Sequence, residues 1–128
     1  AHVVTFAGLT GDHFKLHTDE HYAKTTEFGT RIVHGPLVYS TMMGQLSQSR
    51  VFVDAALALL GVDRLRHRAP CFLGSSVYTI ARIIESRPTS SGARALVRAE
   101  VWVEDEQGTR LLDCEVSILV RAEEPAER

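Results

Sequence analysis

The sequence predicts an α+β fold, a curved antiparallel sheet wrapped around one apolar helix, and three observations predict it. The apolar period changes from helical to two near Pro70. Gly35-Pro36 offers a helix start in the first half, because proline fits the first helical turn, and Tyr39, Met42, Met43 and Leu46 then recur at helical spacing. Two turn signals, Pro88-Thr89-Ser90-Ser91-Gly92 and Glu106-Gln107-Gly108, divide the second half into strand-like runs. A helical half followed by a strand half is the order of an α+β domain, and 128 residues supply one core rather than two.

Each element follows in order. Residues 3–9 are a short apolar stretch ending at the Thr10-Gly11 break. Thr18-Asp19-Glu20 reads as an N-cap followed by acids, for a short helix through Tyr22, Ala23 and Lys24. The Gly35-Pro36 helix comes next, and residues 53–60 read as a second helix stopped by Gly61. Arg64-Leu65-Arg66-His67-Arg68 is a local basic cluster, read as a solvated loop. Phe72-Leu73-Gly74 leads into residues 77–86, apolar on both faces. Residues 93–104 alternate strictly, with Ala95, Val97, Ala99, Val101 and Val103 on one face and Arg94, Arg98, Glu100 and Trp102 on the other. Leu112, Cys114, Val116, Ile118 and Val120 line one face of the last strand, so two hairpins in series make a meander. The whole chain reads as one domain with a charged, Pro-interrupted, frayed tail over residues 122–128.

Composition narrows the function classes. Hydrophobic residues at 45% and charged residues at 23% are ordinary for a soluble domain. A net charge of -2 without a broad basic stripe gives no reason to expect a nucleic-acid partner. No apolar run has the length of a membrane span and no signal peptide precedes the domain, so the expected location is the cytoplasm, with no membrane partner. Cys71 and Cys114 read as free buried thiols of a reducing compartment, with a disulfide left open.

The chemistry gathers between Asp12 and Gly35. His13, His17, His21 and His34 are four of the six histidines, and they share this stretch with Asp12 and with a glycine at a helix start. A carboxylate and an imidazole on one water let one group take a proton while the other returns one to an adjacent carbon. A free N–H at a helix N-terminus, with no side chain in the way, stabilises charge developing on a carbonyl oxygen. Pro36 has no N–H, so Gly35, Leu37 and Val38 are the available donors. Taken singly, Asp12 is a turn residue and His17 a satisfied, partly buried histidine; with His34-Gly35 behind them the catalytic reading prevails. His13, His17 and His21 would line up as metal ligands on a continuous helix, but Gly11 and the Thr18 cap break it, so no metal is expected. Nothing calls for a cofactor.

The stretch Phe6-Ala7-Gly8-Leu9-Thr10-Gly11-Asp12, then His17, then Ile32-Val33-His34-Gly35, resembles the MaoC-like dehydratases, the (R)-specific enoyl-CoA hydratases of the hot-dog fold. The order of elements agrees over nearly the whole chain, including Phe72-x-Gly74 before the meander, while the strand that precedes the motif in that family is missing from this sequence. The resemblance implies that Asp12 and His17 hold the catalytic water and that Gly35 donates its N–H to the thioester oxygen. It puts Phe14, His34, Leu37 and Met43 at the substrate, with His34 orienting the loop and Met43 lining an acyl pocket. It implies an acyl-CoA or acyl-carrier-protein substrate with its sites near a dimer interface, and a homodimer is expected because the meander's edges need partners. Phosphates of coenzyme A are the alternative to a solvated loop for the basic cluster at residues 64–68. Two departures stand out: the family's Asn-Pro between acid and base is Phe14-Lys15 here, and a small polar residue that assists the pair is Met43. Two other readings stay open. A hot-dog thioesterase would carry an acid on the central helix, where residues 37–48 have none and Asp54 comes late. A non-catalytic subunit of a heteromeric dehydratase would accommodate the changes at Phe14, Lys15 and Met43.

Overall fold

Strict alternation builds the sheet. In β3 (Arg94–Asp105) and β4 (Arg110–Arg121) the apolar residues meet as cross-strand partners: Val97 opposite Ile118, Ala99 opposite Val116, Val101 opposite Cys114 and Val103 opposite Leu112. All eight are buried, so one face of the hairpin is core. β2 (Val77–Pro88) pairs antiparallel with β3, and β1 (Ala56–His67) pairs antiparallel with β4, giving the sheet order β1-β4-β3-β2. The computed structural model describes residues 1–50 and 52–122; the expected tail, apart from Ala122, lies outside the described residues.

The helix on this sheet is α4 (Gly35–Ser47), with His34 at its N-cap and Pro36 in its first turn. Val38, Met42 and Leu46 of α4 are buried in one cluster with the inward residues of β3 and β4, and Tyr39 and Met43 flank them partly buried. Met42 is fully buried, its sulfur 4.0 Å from the Cys114 thiol. Both cysteines are free and buried. On the outer face charges replace the apolar rows: Arg98 bridges Glu85 and Glu115, Arg82 pairs with Glu100, and Arg68 holds Asp113. No helix among the described residues is long and apolar enough to cross a membrane.

Two expectations are corrected. The segment over residues 53–60 is not a helix: after a turn it becomes β1, which runs straight through Gly61 to His67. The sequence Ala56-Leu57-Ala58-Leu59-Leu60 is rich in strong helix formers, but pairing with β4 overrides that local preference. The basic cluster at residues 64–68 is therefore strand, not loop, apart from Arg68 just beyond its end. Before the sheet, the apolar stretch at residues 3–9 is α1 (His2–Thr10), burying Val3 and Ala7. It ends as expected at Gly11, whose φ of 80° is the left-handed conformation that glycine adopts without strain. α2 (Lys15–Thr18) and α3 (Glu20–Ala23) are single turns, and Asp19 caps α3 by accepting from the Tyr22 N–H at 3.1 Å.

Candidate active site

The sharp turn after α1 sets the acid. Thr10 Oγ1 accepts from the Asp12 N–H at 3.2 Å, and Asp12 Oδ1 accepts from the Phe14 N–H at 3.3 Å. One carboxylate oxygen is thus tied to its own loop and the other is left for a ligand. The loop is fixed from below by His34, fully buried, whose Nε2 lies 2.9 Å from the Asp12 carbonyl oxygen. A carbonyl only accepts, so Nε2 carries the hydrogen there. His34 is sandwiched between Phe6, 5.0 Å away ring to ring, and His17, stacked at 4.1 Å.

His17 is 9% exposed, and the same logic fixes its tautomer. Its Nδ1 lies 2.8 Å from the carbonyl oxygen of Ile32, so Nδ1 donates and Nε2 keeps its lone pair. That carbonyl is itself held in place: Ile32 N–H donates to Leu16, Ile32 bridges Phe72, and Val33 N–H donates to the Cys71 carbonyl at 2.7 Å. Glu20 clamps the same segment, accepting from Thr30 Oγ1 at 2.9 Å and from Arg31 N–H at 3.0 Å. The Arg31 N–H, then Thr30, hold the Glu20 carboxyl below its usual range. Glu20 is a positioning residue that sequence reasoning missed, since nothing local marks a glutamate that reaches across to residues 30 and 31.

Asp12, His17 and His34 each bring a ligand atom within 4.8 Å of the other two. Two hydrogen bonds of about 2.8 Å span as much as ~5.6 Å, so one water fits between carboxylate and imidazole. The set also has the residue types of a metal site. The His17 and His34 rings, however, are stacked only 29° from parallel, and in-plane lone pairs of two stacked rings aim poorly at one ion. His13, His17 and His21 do not form a ligand row, because the helix breaks between α2 and α3.

His17 opens into a cleft of about 450 Å³ shared with Gly35, His67 and Arg68 and floored by Val38 and Leu111. Gly35 is the first residue of α4 and its N–H has no intrahelical acceptor. The other two expected donors are not available, because the Leu37 and Val38 N–H groups donate to the His34 carbonyl at 3.0 and 3.2 Å. Asp12 does not line this cleft; it approaches His17 from the loop side. Phe14 is exposed and packs edge-on to His17 at 5.7 Å. Leu37 lines an adjoining cleft of about 280 Å³ with Thr41 and Phe72, the two clefts sharing Val33, Val38 and Cys71. Met43 is not brought to either; it lines an apolar groove farther along α4 with Phe52, Leu57 and Leu59. His67, by contrast, was counted with the basic cluster and lines the mouth of the cleft as an exposed residue. The signal was present: Arg64, Arg66 and Arg68 alternate with Leu65 and His67, the period of a strand with two inward side chains.

A family model described as the MaoC like domain matches residues 1–107. A 3-hydroxybutyryl-CoA dehydratase of Methylorubrum extorquens is 33% identical over 125 residues, which cover 98% of this chain and 74% of that protein. The structure of the R-hydratase PhaJ1 from Pseudomonas aeruginosa, in its unliganded form, matches with a TM-score of 0.80 and 28% identity over 99% of this chain and 79% of that one. Rv0216 of Mycobacterium tuberculosis, which has a double hot-dog fold, matches with a TM-score of 0.83 over 99% of this chain and 39% of that one. At 18% identity that last likeness carries the fold alone: the four-stranded sheet curved around α4 is a hot-dog fold.

Proposed function

The chain belongs to the MaoC-like family, and from that premise we propose that it is a lyase that adds water to a 2-enoyl thioester, or removes it from the 3-hydroxyacyl thioester, by acid–base chemistry at Asp12 and His17. The observation that carries the reading is the His17 tautomer. Its Nδ1–H is committed to the Ile32 carbonyl, which leaves a basic Nε2 beside a carboxylate and in one cleft with a helix N-terminal glycine.

In hydration, Asp12 accepts a hydrogen bond from one O–H of the bound water, which stays on the oxygen, and His17 Nε2 takes the other hydrogen as a proton while the water oxygen bonds to the β-carbon. The π electrons move toward the carbonyl, and enolate charge gathers on the thioester oxygen, where the Gly35 N–H binds it. His17 Nε2–H then returns its proton to the α-carbon, so water is added in balance and from one side. The addition is syn, and the face presented gives the (R)-3-hydroxyacyl product, a reading supported by the name R-hydratase of the Pseudomonas relative. The acyl carrier is coenzyme A, the carrier in the name of the Methylorubrum relative.

A homodimer joined through strand edges is part of the proposal. β1 is an edge strand, and it exposes Leu57, Leu59 and Leu60 at 45%, 48% and 53%, apolar area that an open edge leaves in water. Sedimentation returning a monomer at micromolar concentration would count against it. The two free thiols suit a reducing compartment, so the cytoplasm is the proposed location.

The test is to incubate the protein with a trans-2-enoyl-CoA, following free thiol alongside chiral analysis of the acyl product. The expected result is (R)-3-hydroxyacyl-CoA with the thioester whole. Free coenzyme A without hydroxyacyl-CoA would point to a thioesterase. Silence in both channels across acyl lengths would favour a non-catalytic subunit, the reading that Phe14-Lys15 and Met43 support.

A further inference from the structure

We propose that His67 is a second hydrogen-bond donor to the thioester oxygen, opposite the Gly35 amide, an inference that rests on the function proposed above. The placement of the ring is the first argument. A Cβ built on Gly35 would lie 2.6 Å from His67 Cε1, 2.8 Å from Nε2 and 3.1 Å from Nδ1. The edge of the imidazole that bears both nitrogens is therefore turned onto Gly35, at the place only a glycine leaves open. In either tautomer one of those nitrogens carries a hydrogen. Among the described residues neither nitrogen has a hydrogen-bond partner, and the residue is exposed at the cleft mouth, so the donor is free to meet a ligand.

The second argument is how the strand delivers the ring. β1 slips register against β4 between Asp63 and Arg66, and Arg64 within that slip has φ 53°. A bulky residue in the left-handed region costs on the order of 1–3 kcal/mol, and a bulge re-aims the side chains beyond it. Arg64 pairs with Glu115 on the outer face, and Arg68 is anchored by two bonds to Asp113, at 2.8 and 3.1 Å. Between these outward anchors His67 is the inward residue facing α4. The third argument is chemical. An enolate oxygen has more than one lone pair, and the Gly35 N–H satisfies one of them. His17 lines the same cleft, so a thioester within reach of His17 and Gly35 also presents its oxygen side to His67.

The experiment compares wild type, Asp12→Asn, His67→Phe and His67→Gln with trans-2-butenoyl-CoA as substrate, recording kcat and KM separately and checking folding by thermal unfolding. Phenylalanine keeps the ring and loses the donor; glutamine keeps an N–H. Loss of one oxyanion donor commonly costs about 10²–10³ in kcat, so His67→Phe should fall by about 10²-fold in kcat with little change in KM. His67→Gln should stay within about 10-fold of wild type. An active wild type with an equally active His67→Phe overturns the inference alone. So do equal losses in the two variants, which would mean that ring shape matters and donation does not. A loss confined to KM overturns it as well, since that is uniform binding. A wild type inert with trans-2-butenoyl-CoA and with longer trans-2-enoyl-CoAs overturns the proposed function and this inference with it, whereas an active wild type with a dead Asp12→Asn leaves the function standing whatever His67 does.

Discussion

At its first turn α4 faces the imidazoles of His17 and His67, with the Asp12 carboxylate close behind. Farther along the same helix, Met43 and Leu46 face Phe52, Leu57 and Leu59 across a groove of about 220 Å³ that no ionisable side chain lines among the described residues. Both ends rest on the same buried row of Val38, Met42 and Leu46, so packing does not distinguish them. Backbone polarity does. The N-terminal turn presents the Gly35 N–H, which none of the helix's own carbonyls accepts, and the positive end of the helix dipole, which suits an oxygen gaining charge. The later turns present closed backbone and apolar side chains, which suit a hydrocarbon or a protein neighbour. Helix direction thus separates a polar end of α4 from an apolar one, and the proposed chemistry belongs to the polar end.

The largest way to break this contrast is at the acid–base pair. Asp12→Asn and His17→Ala should each lower kcat for hydration by about 10²–10⁴-fold with the fold retained, the buried His17→Ala change alone lowering the unfolding midpoint. The double variant should lose far less than the product of the two, because both groups serve one water. Near-normal turnover in either single variant would remove that residue from the mechanism.

Midway along the helix the expectation inverts. Met42 is fully buried against the sheet, and Met42→Ala should destabilise by about 2–5 kcal/mol in denaturant titration. The folded fraction should keep a kcat within a few-fold of wild type. A chemical defect without a stability loss would mean that the core and the site are not separate.

The sequence was most readable where one residue type had one physical reason to be there. Gly35-Pro36 starts a helix because of backbone chemistry alone, and β3 and β4 alternate because one face is core. The spacing of Asp12, His17 and Gly35 was legible as a motif, and the structure brings Asp12 to His17 and puts His17 and Gly35 in one cleft. β1 was not legible. Its alanines and leucines favour a helix locally, and only β4, far along the chain, makes them a strand. That misreading concealed His67, since a histidine inside a supposed basic loop has no direction, whereas in a strand it has a face. Glu20 was hidden for a related reason: it acts through contacts that join residues well separated in sequence.

A smaller effect is expected from the thiol packed on Met42. Burial pushes the Cys114 thiol up from 9.0 to about 11, and Asp113 adds to it; burial likewise raises Cys71. The folded state therefore holds the Cys114 proton at pH values where the unfolded chain has lost it. Its contribution is complete below the unfolded value and is lost as pH rises from about 9 toward 11, on the order of 2–3 kcal/mol for Cys114. Stability measured over that window should fall less steeply in Cys114→Ala than in wild type. Equal slopes would show that the thiol titrates normally.

The smallest expected effect lies at Met43, and it sharpens the contrast most. At about 1.5 Å of rise per residue, Met43 sits ~12 Å along α4 from Gly35. A short enoyl group bound at Gly35 does not span that distance, so Met43→Ser should change kcat/KM for a four-carbon substrate by less than about 3-fold, under 1 kcal/mol. The partly buried side chain and its apolar groove predict a different outcome for long acyl chains. If the groove receives the tail, each buried methylene contributes about 0.8 kcal/mol, and a polar serine should raise KM progressively as the chain lengthens while kcat holds. If the groove instead meets a second copy of the chain, along with the exposed β1 leucines, Met43→Ser should leave every KM unchanged and weaken the dimer in sedimentation. A large loss of kcat on the four-carbon substrate would contradict both outcomes, because it would place Met43 at the reacting atoms and join the two ends of α4 into one site.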